Sequence, residues 1–145
     1  DLSGWTLPER KGTAWTANDW RIRFDGRDLG NTSQTLWSAQ EYGDLQMIVD
    51  WRLVKSDTQV SAFNSGICLR GSERAMVLLG NADRASGAIV GLADDPELAA
   101  SNRQAAVPTV QADEPAGAWN RFVITMVGET VTVMLNGQTV VENCP

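Results

Sequence analysis

The stretch NRFVITMVGETVTVMLNGQTVVEN, Asn120 to Asn143, decides the fold. Apolar and polar side chains alternate through it with a period of two, the repeat of a half-buried strand and not of a helix. Two turn dipeptides, Gly128-Glu129 and Asn136-Gly137, divide the run into three strands. Asn-Gly is the strongest hairpin signal in the chain, because both central residues of a type I′ turn need a positive φ. The segment therefore predicts three antiparallel strands in succession.

The same period appears upstream. In DLQMIVDWRLV, Leu45, Met47, Val49, Trp51 and Leu53 share one face, and Gln46, Ile48, Asp50, Arg52 and Val54 share the other. In DWRIRFDG, Trp20, Ile22 and Phe24 alternate with Arg21 and Arg23, and Asp25-Gly26 closes the run as a turn. In NSGICLRG, Ile67 and Leu69 share a face, leaving Cys68 and Arg70 opposite. MVLL and GAIVGL are short apolar runs, read as strands covered on both sides. The one helix signal is DDPELAA, where Asp95 can cap and Pro96 suits the first helical position, predicting one or two turns. VPTVQADEPAGAW reads as a loop from its prolines and small residues. Many short strands, frequent turns and at most one short helix indicate an all-β domain of two packed antiparallel sheets.

At 145 residues the chain is read as one domain over 1–145, large enough to bury a core. A net charge of −6 argues against nucleic acid, whose phosphates need clustered Lys and Arg, and against an anionic membrane surface. No apolar run approaches the ~20 residues of a membrane-spanning helix. The chain opens at Asp1 without a basic and then apolar leader, as it would if a signal had been removed. Cys68 and Cys144 are too few for a disulfide framework and are read as free thiols, with pairing left open. The chain has no histidine, which excludes histidine acid–base catalysis, a Ser-His-Asp triad and histidine-ligated zinc within it.

Several segments in order, DLSGWT, LWSAQEYGDLQMIVDWR, NSGICLRG, SGAIVG and ADEPAGAWNRFVITMVGETVTVMLNGQTVVEN, resemble the 3-keto-disaccharide hydrolase-like domain family across essentially the whole chain. The resemblance implies a concanavalin A-like jelly-roll sandwich, a carbohydrate-active domain and a periplasmic or extracellular setting in bacteria. It implies an oligosaccharide or glycoside as partner, cleaved by hydrolysis or elimination, with sugars oxidised at C3 among the substrates. It also implies terminal strands, before DLSGW and beyond VEN, that this chain lacks. In the family, the strand matching Leu45–Arg52 commonly carries an acid and a histidine where this chain has Gln46 and Ile48. Polar or aromatic residues usual at other positions are here Cys68, Met76, Leu78, Gly80 and Ala88.

On that geometry Asp50, Arg52 and Arg70 would point together into a groove. Asp50 is the candidate base and Arg70 the candidate cation for an enolate or a sugar oxygen. Arg52, Asn64, Trp37 and Gln46 are the candidate substrate-binding residues. Each has a plainer alternative. Asp50 could form a surface ion pair with Arg52, Arg70 could pair with a carboxylate such as Asp50, and Asn64 with Ser65 and Gly66 could simply make a turn. Of the six tryptophans, Trp20 and Trp51 are expected in the core, Trp119 plugging a sandwich end, and Trp37 available to stack on a pyranose. No metal or cofactor is expected. ADDPE could bind calcium, but its spacing matches no EF-hand, and a helix cap explains it. Three functions stay open: an enzyme cleaving a (3-keto-)glycoside, a lectin-like module that binds sugar without cutting it, or a sandwich that has lost its ligand and serves as a spacer or docking domain.

Overall fold

Alternation becomes strand wherever the chain can turn back on itself, and the computed structural model shows this through residues 1–6, 14–25, 34–54, 65–80 and 84–145, which it describes. The chain divides into two compact units, Asp1–Tyr42 and Gly43–Pro145. The first holds β1 (Trp5–Thr6), β2 (Trp15–Asn18), β3 (Arg21–Phe24) and β4 (Trp37–Ser38). β1 pairs with β4, and β2 with β3, both antiparallel. Trp15 and Phe24 lie opposite each other, ring centroids 4.8 Å apart, which is the cross-strand aromatic contact that steadies so short a hairpin.

Trp20 corrects the sequence reading. Asp19 and Trp20 have φ of 49° and 62° and form the two-residue turn between β2 and β3. The strand therefore starts at Arg21, and Trp20 is fully exposed instead of buried. Its place in the alternation with Ile22 and Phe24 was an accident of composition. Gly26, expected to close this segment, lies outside the described residues.

The second unit holds β5 (Leu45–Trp51), β6 (Ser65–Leu69), β7 (Ser72–Leu79), β8 (Ile89–Val90), α1 (Ala100–Ala105), β9 (Asn120–Val127), β10 (Thr130–Leu135) and β11 (Gln138–Cys144). Two antiparallel sheets result, one in the order β11-β10-β9-β5 and one in the order β6-β7-β8. Turn chemistry sets both. Asn136 and Gly137, at φ 50° and 83°, turn β10 into β11 as the Asn-Gly pair requires. Arg70 and Gly71, at φ 50° and 69°, do the same between β6 and β7. Arg70 is thus the first turn residue and not the last residue of a strand.

The two sheets bury one core between them. Phe122, Ile124, Val133, Leu135 and Val141 enter it from the four-stranded sheet, and Leu69, Val77 and Ile89 from the three-stranded one. Trp51 is buried as expected, its ring centroid 5.5 Å from that of Phe122. The all-β sandwich anticipated from the period of two is the fold of this unit. Cys68 and Cys144 are free thiols, and burial raises the pKa of each.

The helix is displaced from its expected place. Asp95 Oδ1 accepts the Glu97 N–H at 2.9 Å, and the Asp95 carbonyl accepts the Leu98 N–H at 3.3 Å. These bonds close a turn at DDPEL, and the helix forms only over Ala100–Ala105. An Asp-Pro pair begins a turn as readily as a helix, since both need a capped first N–H.

Candidate functional site

β5 lies at one edge of the four-stranded sheet with β9 beside it, and their register fixes which side chains meet. The inward set is Leu45, Met47, Val49 and Trp51, opposite Met126, Ile124, Phe122 and Asn120. The outward set is Gln46, Ile48 and Asp50, opposite Thr125, Val123 and Arg121. The outer face therefore carries successive rows. Gln46 Nε2 donates to Thr125 Oγ1 at 3.1 Å. Ile48 and Val123 form an apolar row that Met134 of β10 continues. Asp50 and Arg121 form the next row.

The Asp50–Arg121 pair is a bidentate fork. Arg121 Nε donates to Asp50 Oδ1 and Nη2 to Oδ2, each at 2.7 Å. The backbone beneath Arg121 is held as well. Its N–H donates to Asn136 Oδ1 at 2.8 Å, and its carbonyl accepts the Asn136 N–H at 2.9 Å. Asn136 Nδ2 in turn donates to Asn120 Oδ1 and to the Ala112 carbonyl, both at 2.8 Å. Asn120 is buried and also accepts the Glu114 N–H at 2.9 Å. The Asn136-Gly137 turn thus anchors both the hairpin and the arginine facing Asp50.

One residue past β5 is Arg52, and one residue before β9 is Trp119. The Arg52 guanidinium lies 4.9 Å from the centre of the Trp119 ring. Extending the register by one pair puts these two on the same outer face, beside Asp50 and Arg121. Trp119 is 48% exposed and does not plug the sandwich end. The reason is its place in the pleat: its neighbour Asn120 takes the inward position.

Charge follows from this geometry. The hydrogen bonds from Arg121 hold the Asp50 carboxyl below the ordinary carboxylate value; desolvation opposes them, and the positive charge of Arg121 adds a lesser lowering. Such a carboxylate stays ionised and accepts hydrogen bonds, but it is a weak base. The fork leaves Nη1 of Arg121 and a lone pair on each Asp50 oxygen open to a ligand.

Arg70 does not join this cluster. It sits at the tip of the β6–β7 hairpin, where Nη2 donates to the Gly128 carbonyl and lies 3.9 Å from Asp44 Oδ1. Asp44 Oδ1 also accepts the Gly128 N–H at 2.9 Å. Asp44 and Asp50 stand at opposite ends of β5, about 20 Å apart at the rise of a strand. β5 and β6 moreover belong to different sheets, so Asp50, Arg52 and Arg70 do not converge on one groove. Asp50 takes Arg121 as its ion-pair partner, and Arg70 takes Asp44. Arg70→Ala is expected to lower stability by about 1 kcal/mol, read from the urea midpoint, through loss of this strap at a partly exposed site.

The remaining candidates are dispersed. Asn64 lies outside the described residues. Trp37 is half-buried in β4 of the first unit, opposite Thr6. Leu78 and Ala88 are buried and line no open surface. Within ADDPE, Asp94 is held by both terminal nitrogens of Arg84, at 2.7 and 2.9 Å, and Asp95 closes its turn. Among the described residues there is no group of three or more Asp, Glu or Cys placed to hold a metal.

Arg121 and Trp119 are the residues that sequence reasoning missed. The alternation in NRFVITMV already placed Arg121 outward, but its partner depends on β5–β9 pairing across about seventy residues, which no local pattern encodes.

A family model described as the 3-keto-alpha-glucoside-1,2-lyase-like domain matches residues 1–144. No curated protein matches the chain.

Proposed function

The chain belongs to the 3-keto-alpha-glucoside-1,2-lyase-like domain family, and from that premise we propose that it holds a glycoside on the outer face of its four-stranded sheet without cleaving it through Asp50. The observation that carries the reading is the Asp50–Arg121 fork, fixed from below by Asn136 and flanked by the exposed Trp119 ring. A carboxylate and a guanidinium side by side match the donors and acceptors of a vicinal diol. An indole adjoining them offers an apolar face to a sugar's C–H groups.

Elimination would ask something different of the same residue. A C3 carbonyl acidifies the C2 proton; a base takes that proton and the C1 substituent leaves. Asp50 is the wrong base for this step, because Arg121 favours its ionised form and lowers its proton affinity. Arg70, engaged at the far end of β5, is not within reach to stabilise the enolate.

Calorimetric titration of the chain with methyl glucosides and 3-keto-glucosides tests the reading. Saturable binding is expected, weakened about tenfold or more by Arg121→Ala, which removes charge-assisted hydrogen bonds. No aglycone release above that of Asp50→Asn is expected. Since the Asp50 pKa is lowered, the fork is intact at neutral pH and is lost only as pH falls below the ordinary 3.8. Affinity should accordingly be flat from pH 7 to about pH 5. Aglycone release that Asp50→Asn abolishes would make the domain a glycoside-cleaving enzyme acting through Asp50, and failure of every glycoside to bind at millimolar concentration would remove the site.

A further inference from the structure

We propose that Arg52 makes this face selective for anionic sugars, glycosides that carry a carboxylate on the ring, such as uronides. The inference rests on the glycoside-binding reading above and adds the substrate class. Several arginines of the chain already have an acid: Arg21 has Asp19, Arg70 has Asp44, Arg84 has Asp94 and Arg121 has Asp50. Arg52 has instead the Trp119 ring at 4.9 Å, and among the described residues no carboxylate lies within ion-pair distance of it. A guanidinium placed over an indole spends none of its N–H hydrogen bonds on that contact, while the ring restricts where it can lie. That is a planar donor fork without a carboxylate partner among the described residues, and a carboxylate is the acceptor whose geometry fits it.

Spacing supports the same ligand. Arg52 and Asp50 are two residues apart along one strand face, about 7 Å. A pyranose presents its C5 substituent and its C2 and C3 hydroxyls on opposite sides of the ring, a comparable span. A uronide could place its carboxylate on Arg52 and its diol on the Asp50–Arg121 fork at once. Local charge agrees, with two guanidiniums against one carboxylate in a chain whose net charge is −6. Attraction of an anion here therefore arises from the site and not from the protein's overall field.

The test compares methyl β-glucuronide with methyl β-glucoside on the intact chain at low and at high salt. The glucuronide is expected to bind about tenfold more tightly, the effect of one charge-assisted fork. Added salt should shrink that ratio, because the site is exposed. Arg52→Ala should bring the ratio to about one, and Arg52→Lys should restore only part of it, since an ammonium lacks the planar fork. Thermal melting of both variants checks that the fold is kept. Equal affinity for the two sugars in the parent chain would overturn the inference while leaving the glycoside-binding reading intact. So would an Arg52→Ala effect that is the same on both sugars. If neither sugar binds, the glycoside-binding reading fails first and the inference falls with it.

Discussion

Phe122→Ala is expected to destabilise the second unit by about 3–5 kcal/mol, the range for truncating a buried aromatic. Phe122 is wholly excluded from solvent on the inward face of β9. It stands between Val49 of β5 and Leu135 of β10, and its ring leans on that of Trp51. Removing it strips contacts from three strands and leaves a cavity that two sheets cannot close without sliding. With a total stability of about 5–15 kcal/mol for a typical domain, such a loss is a large part of the whole. A urea titration followed by tryptophan fluorescence would measure it. A loss below about 1 kcal/mol would mean that the sheets do not pack through this residue.

Gly91→Ala is expected to cost about 3 kcal/mol or more, through a clash and not a cavity. Gly91 leaves β8 with a φ of 92°, and a Cβ there would lie 1.4 Å from the Arg74 carbonyl oxygen of β7. No rotamer relieves a methyl at that distance, because the obstacle is backbone. The chain would have to lift β8 away from β7, breaking the Met76–Val90 and Val77–Ile89 pairing. Gly137→Ala is the control. It also has a positive φ, 83°, but nothing lies within 4 Å of its Cβ, so only the left-handed strain of about 1–2 kcal/mol remains. Comparable losses for the two variants, measured by thermal and urea unfolding, would show that β8 does not pass β7 as closely as described.

What was legible in the sequence was local. The period of two through Leu45–Trp51 and Asn120–Cys144 needs only neighbouring residues, and so does the Asn136-Gly137 turn. The alternation also placed Asp50 and Gln46 on the outer face, where they lie. Trp20 was misread because Asp-Trp carries no turn signature, although its backbone adopts the same turn as Asn-Gly. Arg70 was misread because its partners, Gly128 and Asp44, come from distant segments that meet only when the sheets close. Arg52 and Trp119 are nearly seventy residues apart, and their contact depends on the β5–β9 register. Parity along a strand can be read from sequence, but the identity of the strand alongside cannot.

The bond from Arg70 to Gly128 ties the tips of two hairpins, one from each sheet. Hairpin tips are ordinarily the first parts of a β protein to fray, each on its own and at little free-energy cost. Here fraying of either tip must also break its bond to the tip of the other layer. Proteolytic nicking near Arg70 or Gly128 thus becomes a gauge of how often the strap opens, and Arg70→Ala should quicken it at both tips.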